Sequence, residues 1–355
     1  MLQDSHGYYH IRGCVHMHTL DSDGTKTHEE IAAIAADVGL DFLLVTDHMT
    51  LRARASQERF HGSVFVGVGY EHNDAADKNH YLLFDTPGVY DGGLSAAEYV
   101  AQGARDGAIG IIAHPDETRP QEGEWPPYEW NAWDAEGYSG IELWNHMSEW
   151  MEALAAASFP GRVALLFSPR RFLITPPAAT LKRWDDANRT RKVVGIAGPD
   201  AHGFPYRLGP KNLTIFPYKV HFRTLRTHLI LNEPFSRDPA TARRQIYLAL
   251  REANAYISNN RHGAAHGFSF VARRVGNGAD QTITCGERLD SPAGVTLEAH
   301  TPLPAHIRLL RNGSLITTAD GVTLKHPVSE PGLYRVEAFR KGKGWIYSNH
   351  IRIAV

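Results

Sequence analysis

Cysteine is scarce in this sequence: its 355 residues include only Cys14 and Cys285. Two are too few for a disulfide scaffold, and their surroundings assign them to different domains, so a reducing compartment is expected. No run of about 18 apolar residues occurs, which excludes a membrane-spanning helix. Met1 to His10 is polar and lacks the apolar centre of a signal peptide, so a cytoplasmic protein is expected. Neither sign of charge dominates: 37 Lys and Arg stand against 39 Asp and Glu, a formal net charge of -2. That balance gives no whole-molecule attraction to nucleic acid or to an anionic membrane. The oligomeric state is not legible. Internal repeats and low-complexity tails are also missing. What the chain does have is histidine, 20 residues of it. Abundance alone decides little; position decides more.

The length exceeds the usual single domain, so two are expected, residues 1–263 and 264–355. From residue 10 to about 200, short apolar runs alternate with helical patterns, the signature of β/α architecture. Ile11 to His18, Asp41 to Thr46, Ser63 to Tyr70, Ala108 to Ala113, Gly140 to Trp144 and Lys192 to Ala197 have strand character. Capping boxes at Thr27–Glu30 and Ser95–Glu98 open helices that stop near Gly39 and Gly107. The stretch 146 to 190 is mainly helical, interrupted at Pro160, Pro169 and Pro176-Pro177. Leu213 to Phe216 and about Lys219 to Leu231 are expected to be strands, and Asp238-Pro239 starts a helix reaching about Ala253. Beyond roughly Gly267, short alternating segments such as Val295 to Ala299, Ile307 to Arg311, Tyr334 to Phe339 and Ile346 to Ile353 are separated by turn dipeptides. This predicts a small all-β sandwich.

His16-Met17-His18 ends the first predicted strand, and residues two apart on a strand share a face. Alone the pair is weak, since a sequence this rich in histidine produces about one by chance. The succession is what carries weight. Asp23 lies in a Ser-Asp-Gly turn beyond the pair, Thr46-Asp47-His48 ends the second strand and Glu71-His72 the third. Ala113-His114-Pro115, Glu142 to His146 and Asp200-Ala201-His202 end later ones. In a parallel barrel those ends share one face, where active sites are built. Scattered structural histidines would have no reason to select that edge each time.

The order HxH, Ser-Asp-Gly, Thr-Asp-His, Glu, Ala-His-Pro, Asp-x-His resembles the PHP (polymerase and histidinol phosphatase) superfamily of metallohydrolases, over about residues 10 to 205. Ile141-Glu142-Leu143-Trp144-Asn145 with the helical segment after it and the β-rich tail is similar to the branch that includes carbaryl-type hydrolases. The resemblance implies an α/β fold, a distorted seven-stranded, TIM-like (β/α) barrel followed by the sandwich, and two or three divalent transition metal ions. It implies that His16, His18, Glu71 and Asp200 hold a first ion, with Glu71 bridging to a second bound by His114 and by His146. Glu142, Asn145 or a water are alternatives to His146. Asp23, His48 and His202 would hold a third. Imidazole mixed with carboxylate suits manganese, iron or zinc better than calcium or magnesium. Ions about 3.5–4 Å apart can hold one water between them as a bridging hydroxide and aim it at an electrophile. Glu71, Asp200 and His80 are the candidate catalytic residues. Asp47 is either an orienting partner or a strand-end cap.

His80, in a position similar to one near the substrate in such proteins, is a candidate substrate contact, with ordinary strand packing as the alternative. Arg52 and Arg207 are candidate contacts to phosphate, together with Arg54 and Lys211, although loop cations are more often solvated. Trp125, Trp130, Trp133, Trp144 and Trp150 form either an apolar wall for a substrate or helix packing. His72 faces away from Glu71 and is expected to be a packed or exposed residue instead of a ligand, and Cys14 is expected in the core. The function expected is phosphate ester hydrolysis. The alternatives are hydrolysis of a carboxylic ester, carbamate or amide at the same centre, or a binding module with a vestigial metal site.

Overall fold

The computed structural model describes residues 2–120, 126–208, 211–275 and 280–354, with residues 206–208 and 211–213 described in backbone only. The fold is mixed α/β. Strands β1 (Tyr9–Val15), β2 (Phe42–Val45) and β3 (Val64–Val68) pair in parallel, with Gly13 opposite Phe42 and Phe42 opposite Phe65. A second sheet contains β4 (Tyr70–His72), β5 (Tyr81–Phe84), β6 (Ile109–Ile112), β7 (Gly140–Asn145) and β8 (Val194–Gly198) in that order. Here β5 runs antiparallel to both neighbours, whereas β6, β7 and β8 are parallel. All five residues of β3 and of β8 are buried, as expected where both faces are covered.

Helix formation follows local chemistry. Thr27 accepts from the Glu30 amide while Glu30 returns a bond to the Thr27 amide, and the helix His28–Asp37 buries Ile31, Ala32 and Ala35 along one stripe. Asp238 caps Pro239–Arg251 through the Thr241 amide. The stretch 146–190 contains the helices His146–Ala156, Phe159–Phe167 and Ala178–Thr190, broken where the prolines predict. Part of the strand expected over Lys219 to Leu231 is instead a helical turn, Tyr218–Phe222, opened by Pro217; the strand β9 is confined to Leu225–Leu231. Val295 to Ala299 and Ile307 to Arg311 belong to one strand, Val295–Arg311, whose register with its neighbour shifts across His300 to Ala305, where Pro302 and Pro304 lack amide protons. From Ser269 onward every described element is a strand. Among the described residues, no helix is long and apolar enough to cross a membrane.

Two devices join the sheets. Isolated parallel bridges, Met17 with Ala201 and His48 with Glu71, link strand ends across the gap. The Thr227 hydroxyl of β9 accepts from the Ala197 amide of β8 and donates to its carbonyl, both at 3.0 Å. The tail is attached just as firmly. Strand β10 (Ala255–Asn259) pairs with β9 on one side and with the strand Lys343–Ser348 of the tail on the other. Asn349 brackets Gly195, accepting from its amide at 2.8 Å and donating to its carbonyl at 3.0 Å. Asp185 takes a two-pronged bond from Arg335 at 2.7 and 2.8 Å and a third from His350 at 2.7 Å.

Burial alone would raise the Asp185 pKa, but His350 and Arg335 hold it down at about 2, below its ordinary 3.8. A carboxylate depressed on folding contributes stability above its unfolded pKa and loses it as pH falls toward the folded value, here between about pH 4 and 2. Removing the guanidinium strands a buried charge, so Arg335→Met is expected to cost about 3–5 kcal/mol at pH 7. Urea unfolding checks this, and a cost under about 1 kcal/mol would show that the pair is not structural.

Candidate metal centre

Strand ends deliver the predicted residues to one place. His16 and His18, on the same face after β1, both aim Nε2 at Glu71 Oε2, at 2.9 and 3.1 Å, and at Asp200 Oδ1, at 3.3 and 3.4 Å. The other oxygen of Glu71 faces His80 Nδ1 at 2.8 Å and His114 Nε2 at 3.3 Å. Asp23 approaches His202 Nε2 at 3.1 Å, His18 Nδ1 at 3.4 Å and His48 Nε2 at 3.8 Å. The His18 ring lies between those of His48 and His202, stacked on both. His16, His114 and Asp200 have positive φ of 75°, 26° and 48°, a conformation that costs about 1–3 kcal/mol and persists where the surroundings impose it.

The electrostatics are those of carboxylates embedded in imidazoles. Burial would raise the pKa of Glu71 and Asp200, but His16 and the other imidazoles outweigh it and keep both carboxyls well below their usual range. Conversely, burial disfavours charge on His18 and His80, yet the carboxylates push them up to about 10 and about 9. His48 is held down at about 4, chiefly by burial. Both ring nitrogens of His18, with His80 Nε2 and His114 Nδ1, are buried without a hydrogen-bond partner. Orphaned imidazole nitrogens converging with carboxylate oxygens are the donor set a transition metal requires. Groups of donor atoms mutually within 4.8 Å are formed by His18, Asp23, His48 and His202, by His16, His114 and Asp200, by His16, His18 and Glu71, and by His48, Glu71 and His80.

Glu142 serves this cluster from behind. Its carboxylate accepts from His16 Nδ1 at 2.9 Å, the His114 amide at 2.8 Å and Asn145 Nδ2 at 2.9 Å. A Cβ at Gly198 would fall inside that carboxylate, so glycine is needed there. Asp47 accepts from the Thr19 amide, the Thr19 hydroxyl and Ser22, each at 2.7 Å, and so shapes the loop that carries Asp23.

His146 is not brought to the cluster. Asn145 accepts from the Ser148 amide and caps the helix, and His146, its first residue, turns to pack on Phe216 and His221. Arg52 is also elsewhere: it is exposed and paired with Asp21 at 2.8 Å. Arg54 donates to the Thr86 and Val68 carbonyls. The side chains of Arg207 and Lys211, and all of Trp125, lie outside the described residues. His72 packs on Tyr99, and Cys14 is fully buried. Of the tryptophans, Trp130 and Trp144 are core, Trp133 lies under Arg183, and Trp150 lines the cleft above Glu71. Glu117, Arg119, Tyr128 and Phe204, which no sequence motif marks, share that cleft. The first three sit in a loop with no periodicity, so only proximity reveals them.

No family model and no curated protein matches the chain. Among solved structures it is similar to a two-domain protein from Bacteroides vulgatus described as containing a predicted PHP-like metal-dependent phosphoesterase. That match has 15% identity, covers 99% of this chain and 97% of the other, and has a TM-score of 0.48. A protein from Bifidobacterium adolescentis described as a putative metal-dependent phosphoesterase matches at 18% identity over 57% of this chain and 92% of its own, with a TM-score of 0.30. An amidohydrolase from Chromobacterium violaceum, with bound sulfate and no metal, matches at 15% identity over 56% and 92%, also with a TM-score of 0.30. The chain's own residues carry the functional reading.

The geometry separates two residues that sequence alone leaves as alternatives. Glu142→Ala is expected to lower affinity for manganese or zinc about 10–100-fold, since His16 loses its orienting partner. His146→Gln is expected to leave it unchanged. Chelator competition measures both, and the opposite pattern would place His146 at the ion.

Proposed function

We propose that this chain is a metal-dependent hydrolase of the PHP type, acting on phosphate esters. The observation that carries this reading is Glu71, a carboxylate 1% exposed whose two oxygens face separate imidazole sets. That is the arrangement of a ligand shared between cations. In this reading His16, His18, Glu71 and Asp200 hold one ion, Glu71 and His114 a second, and Asp23, His48 and His202 a third, the metal being manganese, iron or zinc. Bound, such ions supply Lewis acidity toward the ester oxygen and a nucleophile at neutral pH.

The protein's own part is positioning. Donation of the His16 Nδ1 proton to Glu142 fixes the tautomer and leaves Nε2 facing Glu71 and Asp200. His80 is held through Nδ1 by Glu71, stacks on Tyr128 and lines the cleft, where its other nitrogen is placed to hold or pass a proton. The scaffold in this reading is a seven-stranded barrel over residues 1–263, buttressed by a β-sandwich over 264–355. Its partner is a small molecule, and its compartment the cytoplasm, where the two buried, unpaired thiols stay reduced.

Several cations converging on one pocket complement a phosphate monoester dianion better than a neutral ester. The apolar side of the cleft favours a second reading, in which the same centre cleaves a carboxylic ester or carbamate. Manganese-loaded protein is expected to hydrolyse an aryl phosphate, with inorganic phosphate a competitive inhibitor. Glu71→Gln is expected to lose metal and nearly all turnover while far-UV circular dichroism is retained. Turnover of an aryl acetate without phosphatase activity or phosphate inhibition would put the second reading first.

A further inference from the structure

The cleft beside Glu71 has a volume of about 950 Å³, near the top of the roughly 300–1,000 Å³ of small-molecule pockets and far more than a phosphate group fills. Its two sides differ in kind. One presents the carboxylates and imidazoles around Glu71. The other is a single helical stripe: Met147, Trp150, Met151 and Leu154 stand at i, i+3, i+4 and i+7 of His146–Ala156, extended by Phe204 and Ile215. The stripe is held in register with the polar side, because Asn145, which caps this helix, also donates to Glu142. Trp150 is anchored from behind by Phe216, while Met151 and Leu154 keep part of their surface open to the cleft.

Arg119 also lines this space, but its two terminal nitrogens go to the Glu117 carboxylate, both at 2.8 Å, with both residues buried. Glu117 is fixed in turn by Ser148 and by the Tyr128 amide. The guanidinium charge is therefore balanced by Glu117, with Nε alone left without a hydrogen-bond partner, and the pair forms a neutral wall instead of a cationic subsite. We propose that the cleft selects esters whose non-reacting part is a bulky, uncharged, apolar group seated on the Met147–Leu154 stripe, in preference to esters of nucleosides or sugars. This rests on the hydrolase reading and names its substrate class. Methionine thioethers adapt to different shapes, so selection follows apolar area more than outline.

Binding of n-alkyl phosphonates to manganese-loaded protein tests this without turnover, since the head meets the ion ligands and the tail meets the stripe. By calorimetry, affinity is expected to rise about three- to fourfold per methylene from butyl to octyl. In the double variant Met151→Gln, Leu154→Gln, at half-buried positions and with folding checked by far-UV circular dichroism, that increment is expected to fall toward one. Phosphonates that bind with no dependence on chain length would overturn the substrate class and leave the hydrolase standing. Increments unchanged in the double variant would put the tail elsewhere and overturn the assignment. Failure of every phosphonate to bind would remove the phosphate-ester reading on which this substrate class rests.

Discussion

A carboxylate stripped of water must be neutralised or surrounded by compensating groups, and Glu71 is surrounded. Four imidazoles, from His16, His18, His80 and His114, lie within 3.3 Å of its oxygens. Each ring costs free energy to bury and is held by the charge it faces, so none of the five side chains is stable in place without the others. The same mutual dependence reaches Asp200, which shares His16 and His18 with Glu71, and then Asp23 through His18 and His202. What looks like a collection of ligands is one electrostatic unit. Divalent ions would discharge the repulsion among protonated imidazoles as well as satisfy their orphaned nitrogens.

Such a unit needs a rim that does not yield, and the backbone supplies it. The sheets are not continuous at this edge. The Asp200 amide donates to the His16 carbonyl and the His18 amide to the Ala201 carbonyl, while the Met49 amide donates to the Glu71 carbonyl across the neighbouring gap. Positive φ at His16, His114 and Asp200 is tolerated because these cross-links, with Glu142 behind them, over-determine the conformation.

Much of this was legible in the sequence because strand ends are short-range features. The HxH pair, Thr-Asp-His and Asp-x-His each carry their own strand, so two-residue periodicity places their side chains without knowledge of distant contacts. Capping boxes at Thr27 and Ser95 are equally local. His146 shows where locality ends. Whether residue 146 continues β7 or begins a helix depends on Asn145 turning to cap, and one residue of phase redirects the ring from Glu71 to Phe216. Arg52 was unreadable for a related reason: its partner, Asp21, lies 31 residues away on another loop. The pairing of β5 antiparallel to its neighbours and the proline shift within Val295–Arg311 are likewise settled by tertiary contacts that no window of sequence contains.

The tail has a part in this even though no candidate ligand comes from it. Strand β8 ends in the residues that matter most, Gly198 seating Glu142 and Asp200 facing His16 and His18. Yet among the described residues β8 has a backbone-paired strand only on the β7 side; on the other it is held by the Thr227 hydroxyl and by Asn349 around Gly195. Asn349 follows directly on Lys343–Ser348, which pairs with β10 in the sheet that also contains β9 and β1, so this part of the tail helps hold the strand that leads to Asp200. A shift of that strand by a fraction of an ångström would move Asp200 relative to Glu71, and ligand geometry is the property least forgiving of such movement. The all-β segment thus bears on the chemistry through position alone, by holding one edge of β8 where backbone pairing leaves it unsupported.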